Sequence, residues 1–500
     1  MDSVQYILSP REAFIAEQQW RVVKRSVDAR QRELRVHLTI LTDENGKPIP
    51  KDAPIPLYAP PVFQDVHKAE RSVVIIGAGP AGLFAALTLL EHGIKPIIYE
   101  RGKEVSERKK DIALLNRNKG LNPESNYCFG EGGAGTFSDG KLFSRSKKRG
   151  NMQRVMELFH YFGAPDTVLY EAHAHIGSDK LPSIIRNMRE CILKHGGEIH
   201  FETCVRSLKE WKMENGKWKI PLILAIGHSA HDTYRMLAEE GVKLETKGFA
   251  MGVRAEHPQR LINQLMYHVD MTSRRHDELI NLVGNASYSL VTQVDGRGVY
   301  SFCMCPGGHI VPAGSEAGSC VVNGMSASHR NSPYANSGMV VQINSEDIPG
   351  DDPLRGLAFQ EELERLAFEH GGPQAQAPAQ RLRDFVEGRA SKDLPACSYL
   401  PGIIPSRLDQ WLPAHIGKRL QQGFRDFDKK YPGFLTNDAV IVGVESRSSS
   451  AVRIPRDPES LQSVSTPLLY PCGEGAGYAG GITSSALDGI NAALKIAELA

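Results

Sequence analysis

The residues with the clearest chemistry lie between Val73 and Glu100. Val73-Val74-Ile75-Ile76 runs without a gap into Gly77-Ala78-Gly79-Pro80-Ala81-Gly82. In that spacing the first glycine makes a tight turn, the second lets backbone approach a pyrophosphate, and the third lets a helix pack closely on its strand. Leu83, Ala86, Leu87 and Leu90 then mark the buried stripe of a helix whose N-terminal N–H groups and dipole face the anion. Gly93 ends that helix. Ile97-Ile98-Tyr99 reads as a second strand, with Pro96 at its first position, and Glu100 follows 18 positions after Gly82. A carboxylate there accepts hydrogen bonds from both hydroxyls of an adenosine ribose and repels a 2′-phosphate. Together these features predict dinucleotide binding, which FAD and NAD satisfy equally.

The other end of the chain separates the two. Tyr470-Pro-Cys-Gly473-Glu474-Gly475-Ala-Gly477-Tyr-Ala-Gly480-Gly481 follows one short strand and precedes a helix, and Gly475, Gly477 and Gly480 repeat the glycine spacing. Only 20 residues follow Gly480, too few for a crossover helix and a second strand bearing an acid. The segment is therefore expected to complete the first site, its helix N-terminus facing the flavin or its ribityl-phosphate arm. FAD is the predicted cofactor. With no second Rossmann unit, NADH or NADPH would bind only transiently.

Seven segments make the chain resemble a family of bacterial FAD-utilising dehydrogenases of unassigned substrate, within the glutathione-reductase-type superfamily. They are Lys24–Arg30 (KRSVDAR), Gly130–Leu142 (GEGGAGTFSDGKL), His175–Leu181 (HIGSDKL), Ala225–Thr233 (AIGHSAHDT), Gly252–Gln259 (GVRAEHPQ), Ser301–Gly308 (SFCMCPGG) and Tyr470–Ile482 (YPCGEGAGYAGGI). The resemblance covers nearly the whole length. It implies that a strand ending in Val205 touches the adenine, that the Ala225-Ile-Gly227 turn lies near the phosphates, and that the glycines from Gly473 to Gly481 line the flavin. The expected cofactor contacts are thus Gly77, Gly79, Pro80, Ala81, Gly82, Glu100, Arg101, Gly133, Ala134, Gly135, Val205, Ala225, Gly227, Gly473, Glu474, Gly480, Gly481 and Ile482. One departure is visible: Ser207 to Pro221 has room for little more than one hairpin, turning at Asn215-Gly216, where the family carries a longer meander.

Four residues are candidates for catalysis. Lys141, in the glycine-rich Gly130–Leu142 loop, would favour an anionic reduced flavin. Arg254, His309 and Arg447 lie in family-like segments and would contact substrate, the arginines suiting a carboxylate or phosphate. Cys303-Met304-Cys305 and Cys472 match neither CxxC nor CxxxxC. Alternate residues of a strand point to opposite faces, so Cys303 and Cys305 are expected to be structural thiols. His173 and His175 share a face if their segment is a strand, but lack further ligands in sequence, so no metal site is expected. His228 would orient the phosphate loop. The run Arg145, Lys147, Lys148 and Arg149 reads as a solvated loop.

The elements that must position these residues suggest an α/β chain: a discontinuous Rossmann-type FAD-binding domain, an inserted α+β substrate domain and a small N-terminal α+β module. The module spans 1–70, with a charged helix over Arg11–Arg32, a strand through Leu34, Val36, Leu38 and Ile40, and a proline-rich linker over Lys47–Pro61. The first part of the FAD domain spans 71–248. It includes a helix carrying Leu181, Ile184, Ile185, Met188 and Ile192, and strands over Glu198–Val205 and Leu222–Ile226. The insert spans 249–433, with Gly371–Gln380 as a surface loop, and 434–500 returns to the FAD domain through a strand at Leu468–Tyr470 and a helix from Ser484.

Five hundred residues call for two or three domains. A hydrophobic fraction of 41%, a charged fraction of 23% and a net charge of +1 describe an ordinary globular chain, with no electrostatic footprint for nucleic acid or an acidic membrane. Eight scattered cysteines and the lack of a signal-like N-terminus predict a cytoplasmic location. The apolar run Val73–Leu90 is broken by glycines, so no membrane span is expected. The activity these features predict is a flavin-dependent oxidoreductase acting on a small molecule held between the Rossmann domain and the insert, with hydride passing through flavin N5. The alternatives are a flavoprotein of tRNA modification, against which the neutral charge argues, and a non-catalytic FAD-bound assembly or sensor protein. The sequence leaves the oligomeric state open.

Overall fold

The computed structural model describes residues 2–31, 33–143, 150–211, 220–270, 272, 274–373 and 375–498. The basic run Arg145 to Arg149 and the Asn215-Gly216 turn lie outside them.

The N-terminal module is a three-stranded antiparallel sheet, β1 (Asp2–Leu8), β2 (Val22–Asp28) and β3 (Arg35–Thr42), in the order β1-β3-β2 with helix α1 (Pro10–Gln19) against it. The helix expected over Arg11–Arg32 is half strand. Ser9 caps α1 in a reciprocal capping box with Glu12, and the chain turns extended at Trp20. Val22, Val23 and Val27 then favour a pleated strand, which pairs with β3 and so overrides the charge pattern. Arg25 ties the module to the body: it donates to Glu171 at 2.9 Å and to the Leu282 carbonyl at 3.3 Å.

The expected FAD-binding domain opens with β4 (Ser72–Ile76), α2 (Pro80–Glu91), β5 (Lys95–Tyr99) and α3 (Val105–Asn116). It continues through α4 (Met152–Tyr161), α5 (Thr167–Tyr170), α6 (Leu181–Lys194), β6 (Glu198–His200), β7 (Leu222–Leu224) and α7 (His231–Glu239). A short ribbon pairs β8 (Glu245–Thr246) with a later strand. The insert then lays down β9 (Phe249–Pro258), β10 (Val291–Val294), β11 (Arg297–Cys305), β12 (His309–Pro312), β13 (Val322–Met325), β14 (Tyr334–Ile343), β15 (Ala377–Arg381), β16 (Ile403–Pro405) and β17 (Val440–Glu445). The chain returns through β18 (Val452–Arg453), the partner of β8, then β19 (Leu469–Pro471) and a closing helix, Ile482–Glu498.

The sheet of this first domain has the order β19-β7-β4-β5-β6, every pair parallel. The glycine turn after β4 leaves its carboxyl end, where open parallel sheets bind ligands. The insert's main sheet has the order β10-β11-β14-β9-β17-β15-β16. It therefore takes in β17, beyond the boundary expected at 433; apolar Val440, Ile441 and Val442 are needed beside β9 to cover the sheet's centre. Two further expectations fail locally. The second half of the Gly371–Gln380 segment is β15, with Ala377, Ala379 and Gln380 fully buried, because small residues fit a crowded sheet interior. The strand expected over Glu198–Val205 stops at His200, where Glu202 adopts the left-handed conformation at φ 52°. No described helix is long and apolar enough to cross a membrane.

Candidate functional site

The site is built mostly of backbone. Gly77 sits at φ 103°, and a Cβ there would lie 2.4 Å from the Ala225 carbonyl oxygen. A Cβ on Gly82 would fall 1.9 Å from the Gly77 oxygen, so the start of α2 can fold onto β4 only as glycine. The closing helix crosses α2 just as closely: a Cβ on Gly489 would meet the Ala81 oxygen at 2.0 Å. That crossing brings two helix N-termini, at Gly79–Pro80 and at Gly481–Ile482, to one end of the sheet.

Three loops complete the cradle. The Gly130–Leu142 loop docks through the Gly132 N–H on the Ala78 carbonyl at 2.8 Å, and a Cβ on Gly133 would stand 3.1 Å from the Gly79 Cα. A Cβ on Gly135 would press on Ile482 at 2.8 Å, and Thr483 donates to the Leu142 carbonyl at 2.7 Å. The Ala225–Gly227 turn backs onto Gly77 at one end and Gly475 at the other, where a Cβ would lie 2.5 Å from the Gly227 oxygen. Gly473 donates to Asp488, which also takes both arms of Arg456. Gly227, Gly480 and Gly481 face open space, with nothing within 4 Å of a Cβ on any of them. Side-chain-free backbone around an open volume, beside two helix N-termini, fits the diphosphate and ring system of FAD.

Polar side chains hold the loops rather than face that volume. Glu100 accepts from the Ala78 N–H at 2.8 Å, from Gly102 at 2.9 Å and from Gly130 at 3.0 Å. A carboxylate offers about four acceptor positions, so it has one left, not two, for a ribose hydroxyl. Arg101 is bound in two-pronged fashion to Asp232 at 2.9 and 3.0 Å and to Glu124 at 2.7 Å, which makes it a strut between loops. Val205 lies off the sheet and packs in the cluster that includes Tyr99 and Trp211. Glu474 accepts from His228, which also bonds the Arg447 carbonyl at 3.0 Å. Burial works against Glu474's charge, but His228 and the Gly481 N–H hold its carboxyl below the usual range.

Sequence reasoning missed Arg108. It is fully buried on α3 and donates to the carbonyls of Asn126, Tyr127, Gly130, Glu131 and Gly133, clamping the glycine loop from behind. Burial pushes its pKa down to about 10. A signal was present: Arg108 lies on the stripe of Val105, Ile112 and Leu115, where an arginine must find buried acceptors. Glu131 accepts from the Val105 N–H at 2.7 Å, and burial pushes its carboxyl up to about 7.

The four catalytic candidates separate. Lys141 contacts Asp139 at 3.2 Å and reaches toward the sulfurs of Cys303 and Cys305 at 3.9 and 3.8 Å. Burial opposes its charge, yet Cys303, Cys305 and Asp139 outweigh that and hold its pKa above the ordinary lysine value. Arg254 is wholly buried in the insert's sheet, held by Glu445 at 2.7 Å and Asn336 at 2.8 Å, so it supports the sheet rather than meeting substrate. Arg447 is committed to Glu364 at 2.7 and 2.9 Å and to Ser315 at 2.7 Å. His309 is exposed on the ribbon of β12 and β13.

The histidine pair divides too. His175 meets the Ser328 carbonyl at 3.1 Å and burial pushes its pKa down to about 4, while His173 packs on Phe143. Among the described residues, His231, Glu316 and Glu361 approach one another, but Arg235 already occupies Glu361 at 2.5 and 2.7 Å.

Comparison with known proteins agrees with this cradle. Residues 70–210 match the model of an FAD binding domain, and residues 248–448 match that of the FAD-dependent protein, C-terminal domain-like family. The chain is a FAD-binding protein. It is 41% identical to an uncharacterized protein of Clostridium beijerinckii over 95% of its own length and 92% of the relative. It belongs to that family of FAD-dependent proteins. Solved structures align loosely: halogenase PltM at TM-score 0.34 and 13% identity, over 86% of this chain and 69% of that one, and tetracycline destructase Tet(51) at 0.32 and 12%, over 86% and 82%. Likenesses at that level carry no argument.

Proposed function

We propose that the chain is a FAD-dependent oxidoreductase acting on a small molecule held between the FAD domain and the insert. Bound FAD supplies two-electron chemistry by hydride transfer at its N5. The observation that carries the reading is the course of the Gly130–Leu142 loop. It leaves the cofactor cradle at Gly133–Gly135 and six positions later carries Lys141, a cation partnered by the insert's thiols. Lys141 thus stands where the two domains meet and stabilises negative charge that develops there. Asp139, its neighbour, binds Arg330 of the insert at 2.6 and 3.0 Å and fixes the domains' relation at that point. The parallel sheet order and the return of the C-terminal helix to α2 support grouping the chain with the glutathione-reductase-type flavoproteins. Among the described residues one dinucleotide cradle is built, so a nicotinamide donor would bind transiently. Anaerobic mixing of the FAD-bound protein with NADH and with NADPH tests the reading: bleaching of the flavin absorbance is expected with one of them, and an unchanged spectrum with both would count against an oxidoreductase fed by nicotinamide.

A further inference from the structure

Cys303 and Cys305 do not behave as alternate residues of a regular strand. β11 slips register on β14 between Phe302, opposite Gly338, and Cys305, opposite Asn336, and Cys303 takes the left-handed conformation at φ 47°. A bulge of that kind turns a side chain out of its expected direction. Both sulfurs therefore reach the same ammonium, Lys141, and the Cys305 S–H donates to the Cys303 carbonyl oxygen at 3.3 Å, with the Cys303 sulfur as its second acceptor. Behind them Arg254 donates to the Cys303 carbonyl at 2.8 Å and reaches the Cys305 sulfur at 3.7 Å. Cys305 is fully buried, while Cys303 keeps partial exposure.

Cations stand against the pair: Lys141 reaches both sulfurs and Arg254 reaches that of Cys305. Lys141, Arg254 and Arg330 are cations; Asp139 and Glu445 hold them, and Glu171, which shares Arg25 with Glu17, also faces Arg330. His175, facing the same cluster, is neutral, since burial holds its pKa near 4, and buried Tyr288 carries no charge at neutral pH. Burial raises the carboxyl of Glu445 to about 7, which weakens the counter-charge nearest Arg254. The hydrogen bond from Cys305, then Lys141 and Arg254, hold Cys303 well below an ordinary thiol against the cost of burial, while Cys305 is held well above. Cysteines elsewhere go the other way: burial pushes Cys320 up to about 12 and Cys191 up to about 11. A packing role for the pair requires neither the bulge nor a cation on both sulfurs.

We propose that Cys303 and Cys305 form a redox dithiol that reduces a small disulfide, Cys303 supplying the attacking sulfur and Cys305 the resolving one. The anionic Cys303 sulfur attacks one sulfur of the substrate disulfide, forms a mixed disulfide and releases one thiolate. Cys305 then attacks Cys303, the intrachain disulfide forms, and the second substrate thiol leaves with the proton Cys305 gives up. Two electrons pass from the pair to the substrate, and neither step involves the flavin, so this inference stands apart from the reading above.

The full-length FAD-bound protein is treated with iodoacetamide across a pH series, and alkylation is followed cysteine by cysteine by mass spectrometry. Cys303 is expected to react at about pH 6.5 at least tenfold faster than the partly exposed Cys191 and Cys397, with a midpoint well below an ordinary thiol's. Lys141→Met should raise that midpoint. With oxidised glutathione as probe, the unreduced peptide carrying both cysteines should lose two hydrogens and bear no glutathione, while Cys305→Ser should trap glutathione on Cys303. The wild-type measurements stand even if a variant fails to fold. Alkylation of Cys303 only at the pH of an ordinary thiol, or a persistent glutathione adduct in the wild type, overturns the proposal. Flavin bleaching by NADH or NADPH is read separately and bears on neither outcome.

Discussion

Around Gly77 the chain presents backbone to its ligand and keeps polar side chains behind; around Arg254 the side chains themselves form the centre. In the cradle, Glu100 and Arg108 spend their hydrogen bonds on loop N–H and carbonyl groups, so the surface left toward the open volume is mostly glycine. In the insert's sheet, Arg254 and Glu445 face each other fully buried, and Arg447 and Glu364 do the same nearby. A backbone site tolerates almost no added atom but holds little charge. A charged core accepts substitution of shape poorly and of charge worse, because removing one partner strands the other in a medium that solvates it badly. The first region binds by shape; the second sets the charge that Lys141 and the thiols share.

Breaking the sheet's charge should have the largest effect. Arg254→Leu leaves Glu445 buried and unpaired, and is expected to cost about 3–5 kcal/mol in urea unfolding. Gly489→Ala should follow, at about 3 kcal/mol, because the methyl would meet the Ala81 oxygen at 2.0 Å and push the closing helix off α2. It should also release FAD, measured as flavin retained after gel filtration, whereas folded Arg254→Leu should keep it. Arg108→Met strands buried carbonyls of the glycine loop and is expected to cost about 2–3 kcal/mol with weakened FAD binding.

Glu131→Gln sharpens the contrast by pH. The wild-type carboxyl is raised to about 7, so the stability it permits is full below its unfolded value and declines as pH rises through 7. The amide does not ionise and can still accept from Val105. The variant should therefore gain about 2 kcal/mol on the wild type between roughly pH 5 and 8, read from paired urea melts. Smallest in stability is Gly480→Ala. It meets nothing within 4 Å, so unfolding should shift by less than about 0.5 kcal/mol, yet FAD titration should show weaker binding because the methyl enters the open volume.

The cradle was the legible part of the chain. Strand, glycine spacing, helix and Glu100 are contiguous, and local sterics alone explain them, so β4, α2 and β5 could be read directly. The helix at Leu181–Lys194 was legible for the same reason, its apolar period being strictly local. What escaped reading depends on distant partners. Val22–Asp28 looks helical by charge until β3 is placed beside it, and Ala377–Arg381 looks like loop until β17 covers it. The Cys303 turn was hidden because a bulge is a property of two strands, and only β14 shows where the register slips. Arg254 and Arg447 read as substrate contacts suited to a carboxylate or phosphate, and only the fold reveals the carboxylates of this chain that hold them.

Gly77 packs on Ala225 and Gly473 on Ala81, so the two glycine turns meet in one cradle from positions about 400 residues apart, with the whole insert strung between them. If the insert were unfolded, bringing those ends together would mean closing a very long chain loop, an entropic cost met only once the intervening sheet has formed. Slow, long-range assembly of this kind leaves partly folded chains without a cofactor pocket. Flavin colour is therefore expected to gauge how many molecules have finished folding from end to end, and the ratio of flavin to protein absorbance would grade a sample before any activity is sought.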